Sequence, residues 1–259
     1  MRLKHVVAVS LLSASPFFSG TASALAIYEF SSFLNSSSLV ATSAQDTQLG
    51  TGYVAGEVGA NELGAAGLSG TFINNLGADN TGTVRWTITN TTGADLQNVS
   101  FFGFLDAEID EPINSFFNEY GSNSSLALGS GSGDVMADSW EIDEPGFTFG
   151  NIFSNLRAGA LDNSNGVPAS AVDDVSLALG FDIGTLLAGE SLIATFSISL
   201  ADNGGLFHFD PDSQAGFYFN GTAYATAPST GVPEPGSLLL LGVGLLMLVA
   251  APRRFKANA

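Results

Sequence analysis

The chain has 259 residues, of which only 7 are basic and 25 are acidic, so its formal net charge is −18 at neutral pH. Such an acidic chain disfavours nucleic acid and anionic lipid as partners, and it favours solubility and cations. The sequence has no cysteine, which excludes disulfides, thiol nucleophiles and zinc–thiolate sites.

The first 26 residues have the parts of a secretory signal peptide. Arg2 and Lys4 precede a short apolar run, and small residues close the segment at Ala24 and Ala26. We therefore expect export by the Sec machinery, with cleavage after Ala26. Cleavage after Ala24 fits almost as well.

The C-terminal residues combine a short motif, an apolar run and a basic end. The run covers residues 238–251 and is shorter than the roughly 20 residues that span a bilayer comfortably. Composition alone therefore predicts a weak tail anchor whose basic end stays in the cytoplasm. The motif and the basic pair are Val232, Pro233, Glu234, Pro235, Arg253 and Arg254.

These parts, in this order, resemble the PEP-CTERM sorting signal of Gram-negative bacteria. In that family the signal is recognised by exosortase, a membrane cysteine transpeptidase-like enzyme that removes the tail during export. The resemblance covers only the residues from Val232 onward. It implies that Pro233 to Pro235 is the recognition site, and that the protein is an exosortase substrate. It also implies transient anchoring by the C-terminal helix and a final place on the cell surface or in an exopolysaccharide matrix.

The residues between the two terminal signals predict one domain. Without residues 1–26 and 233–259 the chain keeps 206 residues, which is long enough for one sizeable core. The formal charge of this body is −22. We place a β-sandwich domain at 27–224 and a Pro/Ser/Thr-rich linker at 225–232, ahead of the sorting signal at 233–259.

Apolar and polar residues alternate along this body, which is typical of half-buried strands. Between 191 and 200 the pattern puts Leu192, Ala194, Phe196, Ile198 and Leu200 on one face. The same rule places the odd positions of 175–183 and the even positions of 84–88 inward. Short helices are predicted at 113–121 and 154–162. The expected fold is all-β, an antiparallel β-sandwich of immunoglobulin-like or jelly-roll-like type.

The pentapeptide EIDEP occurs twice, at 108–112 and at 141–145, each time shortly after an aspartate. Clustered carboxylates near turns are the ligands that hard cations such as calcium prefer, so calcium is the candidate cofactor. The alternative is a solvated, mutually repelling edge that prevents aggregation between strands. The candidate metal ligands are Asp106, Glu108, Asp110, Asp138, Glu141 and Asp143. A weaker constellation is formed by His208, Asp210 and Asp212.

The E-I-D opening also resembles the catalytic strand of laminarinase-like glycoside hydrolases, which reads E-x-D-x-E or E-x-D-x-x-E. Here the position of the third carboxylate is Pro112 or Pro145 in the first form, and Ile113 or Gly146 in the second. Without that third carboxylate the pair needed for glycoside hydrolysis is incomplete. We therefore do not expect catalysis by these residues.

The sequence predicts an exported, non-enzymatic protein with a structural or adhesive role, and exopolysaccharide is its candidate partner. One alternative is a calcium-dependent carbohydrate-binding module, in which Trp140 beside Glu141 would be the exposed aromatic residue. A secreted glycoside hydrolase is the third possibility.

Overall fold

The computed structural model describes residues 25–39, 48–51, 63–64, 66–110, 117–123, 125–129, 131, 133, 135–145 and 149–227, which form two antiparallel β-sheets and one short helix. The prediction of an all-β fold is confirmed, whereas the choice between immunoglobulin-like and jelly-roll-like topology stays a prediction. The sorting signal and Ala24 lie outside the described residues. Within these ranges, no helix has the length and apolar character needed to cross a bilayer.

Sheet A has five strands in the order β2-β1-β5-β8-β7. Each strand runs antiparallel to its neighbours. The strands are β1 (Leu25–Asn35), β2 (Gln48–Thr51), β5 (Leu96–Ile109), β7 (Ser139–Asp143) and β8 (Ser176–Leu186).

Sheet B has six strands in the order β3-β4-β9-β11-β10-β6, also antiparallel throughout. The strands are β3 (Leu68–Leu76), β4 (Gly82–Asn90), β6 (Tyr120–Ser122), β9 (Ser191–Ser199), β10 (Leu206–Asp210) and β11 (Ala215–Thr226). Strand β11 thus includes the first two residues of the segment predicted as a linker.

Alternation along the strands decides which side chains enter the core between the sheets, because successive side chains point to opposite faces. The predicted inward residues of β4 and β8 are buried, as are the first four predicted for β9. Leu200 was predicted to follow them inward, and that prediction is wrong. Strand β9 ends at Ser199, and Leu200 is 55% exposed.

Phe196 lies at the centre of the core. Its ring contacts those of Phe30, Phe181 and Phe219, with centroids 5.4, 5.8 and 5.6 Å away. Gly103 on β5 makes room for it, because a Cβ atom there would lie 2.3 Å from Cε1 of Phe196. The core is therefore an aromatic layer whose close packing depends on a glycine in the facing sheet.

A short helix, α1 (Ile152–Ala158), covers part of the outer face of sheet A. Ile152 and Leu156 pack there against Phe102 and Phe104 of β5. The helix predicted at 154–162 is therefore confirmed in its first half. The helix predicted at 113–121 is wrong in its described part, because Tyr120–Ser122 form strand β6.

Acidic residues are distributed unequally between the two sheets. The strands of sheet B contain one acidic residue, Asp210, and it is fully buried. The strands of sheet A carry Asp106, Glu108 and others on the outer face. Since β5, β7 and β10 all end where β8 and β11 begin, the carboxylates at these strand ends meet at one end of the sandwich, which we call the acidic end.

Candidate metal centre

The two EIDEP copies leave sheet A at the same end, because β5 and β7 flank β8 and both run antiparallel to it. They do not occupy equivalent positions. Ser176 pairs with Asp106 on one side and with Asp143 on the other. Asp143 belongs to the second copy, whereas Asp106 precedes the first. The repetition in sequence is therefore not a repetition in structure.

Three carboxylates from β5 and the start of β8 converge at the acidic end. Asp106, Glu108 and Asp174 each offer a ligand oxygen, and these oxygens all lie within 4.8 Å of one another. Asp106 and Glu108 share the outer face of β5, since alternate side chains of a strand point the same way. Asp174 precedes β8, and the register that pairs Asp106 with Ser176 brings it opposite Glu108.

Two polar atoms at this place, one of them in the Asp174 carboxylate already named, have no hydrogen-bond partner among the described residues. Oδ1 of Asp174 is buried without one, and so is Oγ of Ser176, whose side chain is fully buried beside Asp106. A buried polar atom without a partner costs about 1 to 3 kcal/mol, so such atoms call for a ligand. Together with the three carboxylates, they define an oxygen-lined centre.

The electrostatics of the centre are those of like charges held together where water has only partial access. Burial, and then the charges of Asp174, Glu29 and Glu119, raises the pKa of Asp106 from 3.8 to about 7. Burial also raises the pKa of Asp174 to about 6. In the absence of a cation these groups therefore hold protons at pH values where carboxyl groups are ordinarily ionised.

A buried pair adjoins the centre. Oε2 of Glu119 lies 2.6 Å from Nε2 of His208, and both side chains are fully buried. Burial raises the pKa of Glu119 and lowers that of His208, so the two groups form a neutral hydrogen bond. Glu119 also accepts the N–H of Ile109 at 3.4 Å and is hydrogen-bonded to Glu108. The pair is thus connected to the carboxylate centre through Glu108.

The second EIDEP copy does not join the centre, although it contains two of the predicted ligands and closely follows a third, Asp138. Glu141 is fully buried and accepts two bonds from Nδ2 of Asn155 on α1, at 2.8 and 3.0 Å. Oδ2 of Asp143 accepts the N–H of Asn151 at 2.7 Å. Asp138 accepts the N–H of Asp182 at 2.6 Å. These carboxylates hold the helix and the strand edge in place.

Asp110 also departs from its predicted place. The prediction assumed that Glu108 and Asp110 share a face of one strand, but β5 ends at Ile109 and Asp110 has a φ of +56°. This left-handed conformation turns the chain away from the sheet. Of the six predicted ligands, only Asp106 and Glu108 belong to the centre.

Sequence reasoning missed Asp174 and Glu119, and it gave little weight to His208 and Asp210. His208 and Asp210 are fully buried on β10, whereas Asp212 is exposed beyond the strand end that Pro211 marks. Asp174 stands just before an apolar strand pattern, which is the only signal the sequence offers. Its proximity to Glu108 depends on the pairing of β5 with β8, and strand pairing is not readable from either segment alone.

A cluster of oxygen ligands that contacts no basic side chain among the described residues is chemically suited to a hard metal ion. Calcium takes about six to eight oxygens and accepts carboxylates in flexible geometry. Arg85, the one cation whose side chain is described, lies on the outer face of sheet B and does not neutralise the centre. Bound calcium would replace the protons on Asp106 and Asp174, because a cation favours the ionised form.

The geometry required of a retaining glycosidase, two carboxylates facing one another across a substrate, is not formed by the EIDEP residues. Glu108 is only 7% exposed, Glu141 is fully buried and Asp110 leaves its strand. Comparisons with protein-family models, with curated proteins and with solved structures found no match. The resemblance of the C-terminal residues to a PEP-CTERM signal therefore stays a prediction.

Proposed function

We propose that the protein is an exported, non-enzymatic component of the cell surface or exopolysaccharide matrix, with a structural or adhesive role, whose domain is stabilised by a bound divalent cation of the calcium class. Two features of the sequence support export and sorting by exosortase: the N-terminal signal pattern, and the motif from Val232 to Pro235 followed by Arg253 and Arg254. The charge of the body supports a partnership with cations.

The observation that carries the proposal is that ligand oxygens of Asp106, Glu108 and Asp174 lie within 4.8 Å of one another, with Glu108 buried and the two aspartates partly buried. Like charges at this spacing repel one another strongly when water is excluded. The unpartnered oxygens of Asp174 and Ser176 point to the same missing ligand. A divalent cation removes the repulsion and supplies the absent contacts together.

Thermal unfolding of the full chain, with calcium and with chelator, tests the proposal. Calcium at about 100 times its Kd is expected to stabilise the folded protein by about 2.7 kcal/mol, which raises Tm by a few degrees. Asp174→Asn should abolish that rise, because it removes a charged ligand.

The matched control is Asp202→Asn, which removes the same charge at an exposed turn, where Asp202 accepts only the N–H of Gly204. This variant should keep the full calcium response. Sodium chloride at equal ionic strength accounts for simple screening. An equal calcium-induced rise in Tm in both variants, or a rise that sodium chloride alone reproduces, would show that the carboxylates are surface charges and not a cation centre.

A further inference from the structure

Four aromatic side chains form a continuous band on the outer face of sheet B, and the core does not account for them. Tyr120 contacts Phe209 with ring centroids 5.3 Å apart, Phe209 contacts Phe207 at 5.8 Å, and Phe207 contacts Tyr218 at 4.6 Å. The band passes from β6 to β10, follows β10 from Phe209 to Phe207, and continues to β11, and each ring is partly exposed.

The strand pattern shows that these rings point away from the core. On β10 the buried residues are Leu206, His208 and Asp210, so Phe207 and Phe209 face the other side. Tyr218 likewise alternates with two buried phenylalanines of β11. The band is therefore additional apolar surface, and a contiguous aromatic surface on a soluble domain commonly marks a binding site.

The charge distribution narrows the class of ligand. The strands of sheet B place no carboxylate on their outer face, although the body carries a formal charge of −22. The excess negative charge of the protein repels polyanions. This face offers hydroxyl, amide and aromatic groups, and its one described charged side chain is Arg85 on β4, outside the band. These groups complement an uncharged ligand that presents both hydroxyls and apolar surface. A sugar ring has both, since its C–H face is apolar and hydroxyls project from around the ring.

An open cleft continues the band across the sheet. It has a volume of about 480 Å³ and is lined by polar side chains, such as Thr83 and Asn203, and by the apolar Ile198 and Leu200. Ser199 pairs with Tyr218 in the register of β9 and β11, so the cleft begins where the aromatic band ends. Together they offer a track of stacking surfaces followed by a cleft of mixed polar and apolar lining, a combination found in ligand sites. Within the cleft, the Ser199 hydroxyl is already bonded to the backbone of Ala201, and Nδ2 of Asn203 donates to Oγ of Ser197.

We propose that the aromatic band and this cleft bind a neutral polysaccharide chain, with sugar rings stacked on Tyr218 and Phe209. This deepens the adhesive role proposed above by naming the ligand class, and it does not require the cation. Trp140, the aromatic residue predicted for such a role from the sequence, is partly buried against the core between the sheets and is not part of the band.

Native gel electrophoresis of the full chain in gels containing hydroxyethylcellulose, laminarin, dextran or galactomannan tests this proposal. At least one of these neutral polysaccharides is expected to retard the protein. Phe209→Ala and Tyr218→Ala should each weaken binding by about tenfold, as expected for the loss of one aromatic contact surface. Tyr224→Ala is the matched control, because Tyr224 is 38% exposed on the same face of β11 but lies outside the band. This variant should bind like the unchanged protein.

Several outcomes would overturn the proposal: no retardation by any of the four polymers, retardation only by the polyanion alginate, or an equal loss in Tyr224→Ala. A concentration-dependent dimer that Phe209→Ala and Tyr218→Ala dissociate would also overturn it, because the band would then join two copies of the chain. Running the gels with calcium and with chelator separates this test from the previous one. Polysaccharide binding without any calcium-induced rise in Tm would support the proposal for the aromatic band and refute the proposal of a cation centre.

Discussion

Replacing Asp106 by Asn is expected to stabilise the protein at neutral pH when no cation is present, and to leave its stability nearly unchanged at acidic pH. Burial, reinforced by neighbouring charges, raises the pKa of Asp106 from 3.8 to about 7 in the folded state. A group whose folded pKa lies above its unfolded value binds its proton more tightly in the folded protein. The stabilisation that comes from the protonated Asp106 carboxyl is therefore complete below pH 3.8 and is lost as the pH rises through about 7.

The size of the effect follows from the shift. A difference of about three pKa units corresponds to about 4 kcal/mol in the free energy of unfolding at most, at about 1.4 kcal/mol per unit. Asparagine has nearly the same shape as aspartic acid and stays neutral at every pH. The variant therefore does not lose stability as the pH rises, as the unchanged protein does. In chelator, Asp106→Asn should exceed the unchanged protein in stability by up to about 4 kcal/mol near pH 8, and by almost nothing near pH 4.

Urea unfolding at a series of pH values between these limits measures the difference, and the fluorescence of Trp86, which is buried in the core, reports it. In calcium the order should reverse, because the unchanged protein gains a bound ion and the variant loses a ligand. If Asp106→Asn lowers stability by the same amount at every pH in chelator, then Asp106 is not held protonated by its surroundings. The electrostatic reasoning about the acidic end would then be refuted.

Three further predictions concern the core and the two ends of the chain. Gly103→Ala should lower the free energy of unfolding by about 1 to 3 kcal/mol, measured in urea, since the added Cβ meets the Phe196 ring. Gly64→Ala is the control, because no atom lies within 4 Å of the added Cβ, and it should change the free energy of unfolding little. An equal effect of both variants would contradict the packing argument. The structure revises the cleavage expected after Ala26 in favour of the alternative after Ala24, because Leu25 begins β1, is 6% exposed and its carbonyl accepts a bond of 2.7 Å from Asn80. N-terminal sequencing of the exported protein should therefore find Leu25 first, and Ile27 in first place would contradict this revision. The intact mass of the same sample should lack the C-terminal apolar run, and its retention would contradict processing by exosortase.

The strands were predictable where one face of a strand meets the core. Val84, Trp86 and Ile88 on β4 are buried as their alternation indicates, because a period of two is the signature of a strand with one apolar face. The prediction failed at strand ends, where local contacts decide. The hydroxyl of Ser199 exchanges hydrogen bonds with the backbone of Ala201, and the chain turns there before Leu200 can continue the pattern.

The candidate site was predictable only in its chemistry. Asp106 and Glu108 were found because clustered carboxylates are visible in the sequence, but the same signal also selected Asp138, Glu141 and Asp143. Within the described residues, those three are engaged with backbone or amide donors. Two identical pentapeptides thus have different roles, one contributing a residue to a carboxylate centre and the other securing a helix.

By itself the sequence determined the all-β class, the faces of the strands that enter the core, and a large excess of acidic over basic residues. These properties depend on composition and on a local period of two residues, so each segment carries its own information. Only the tertiary structure decided that Asp174 meets Glu108, and that Phe207, Phe209 and Tyr218 form one surface. Such contacts depend on the register between strands that are far apart in the chain, and the packing of the whole sandwich sets that register.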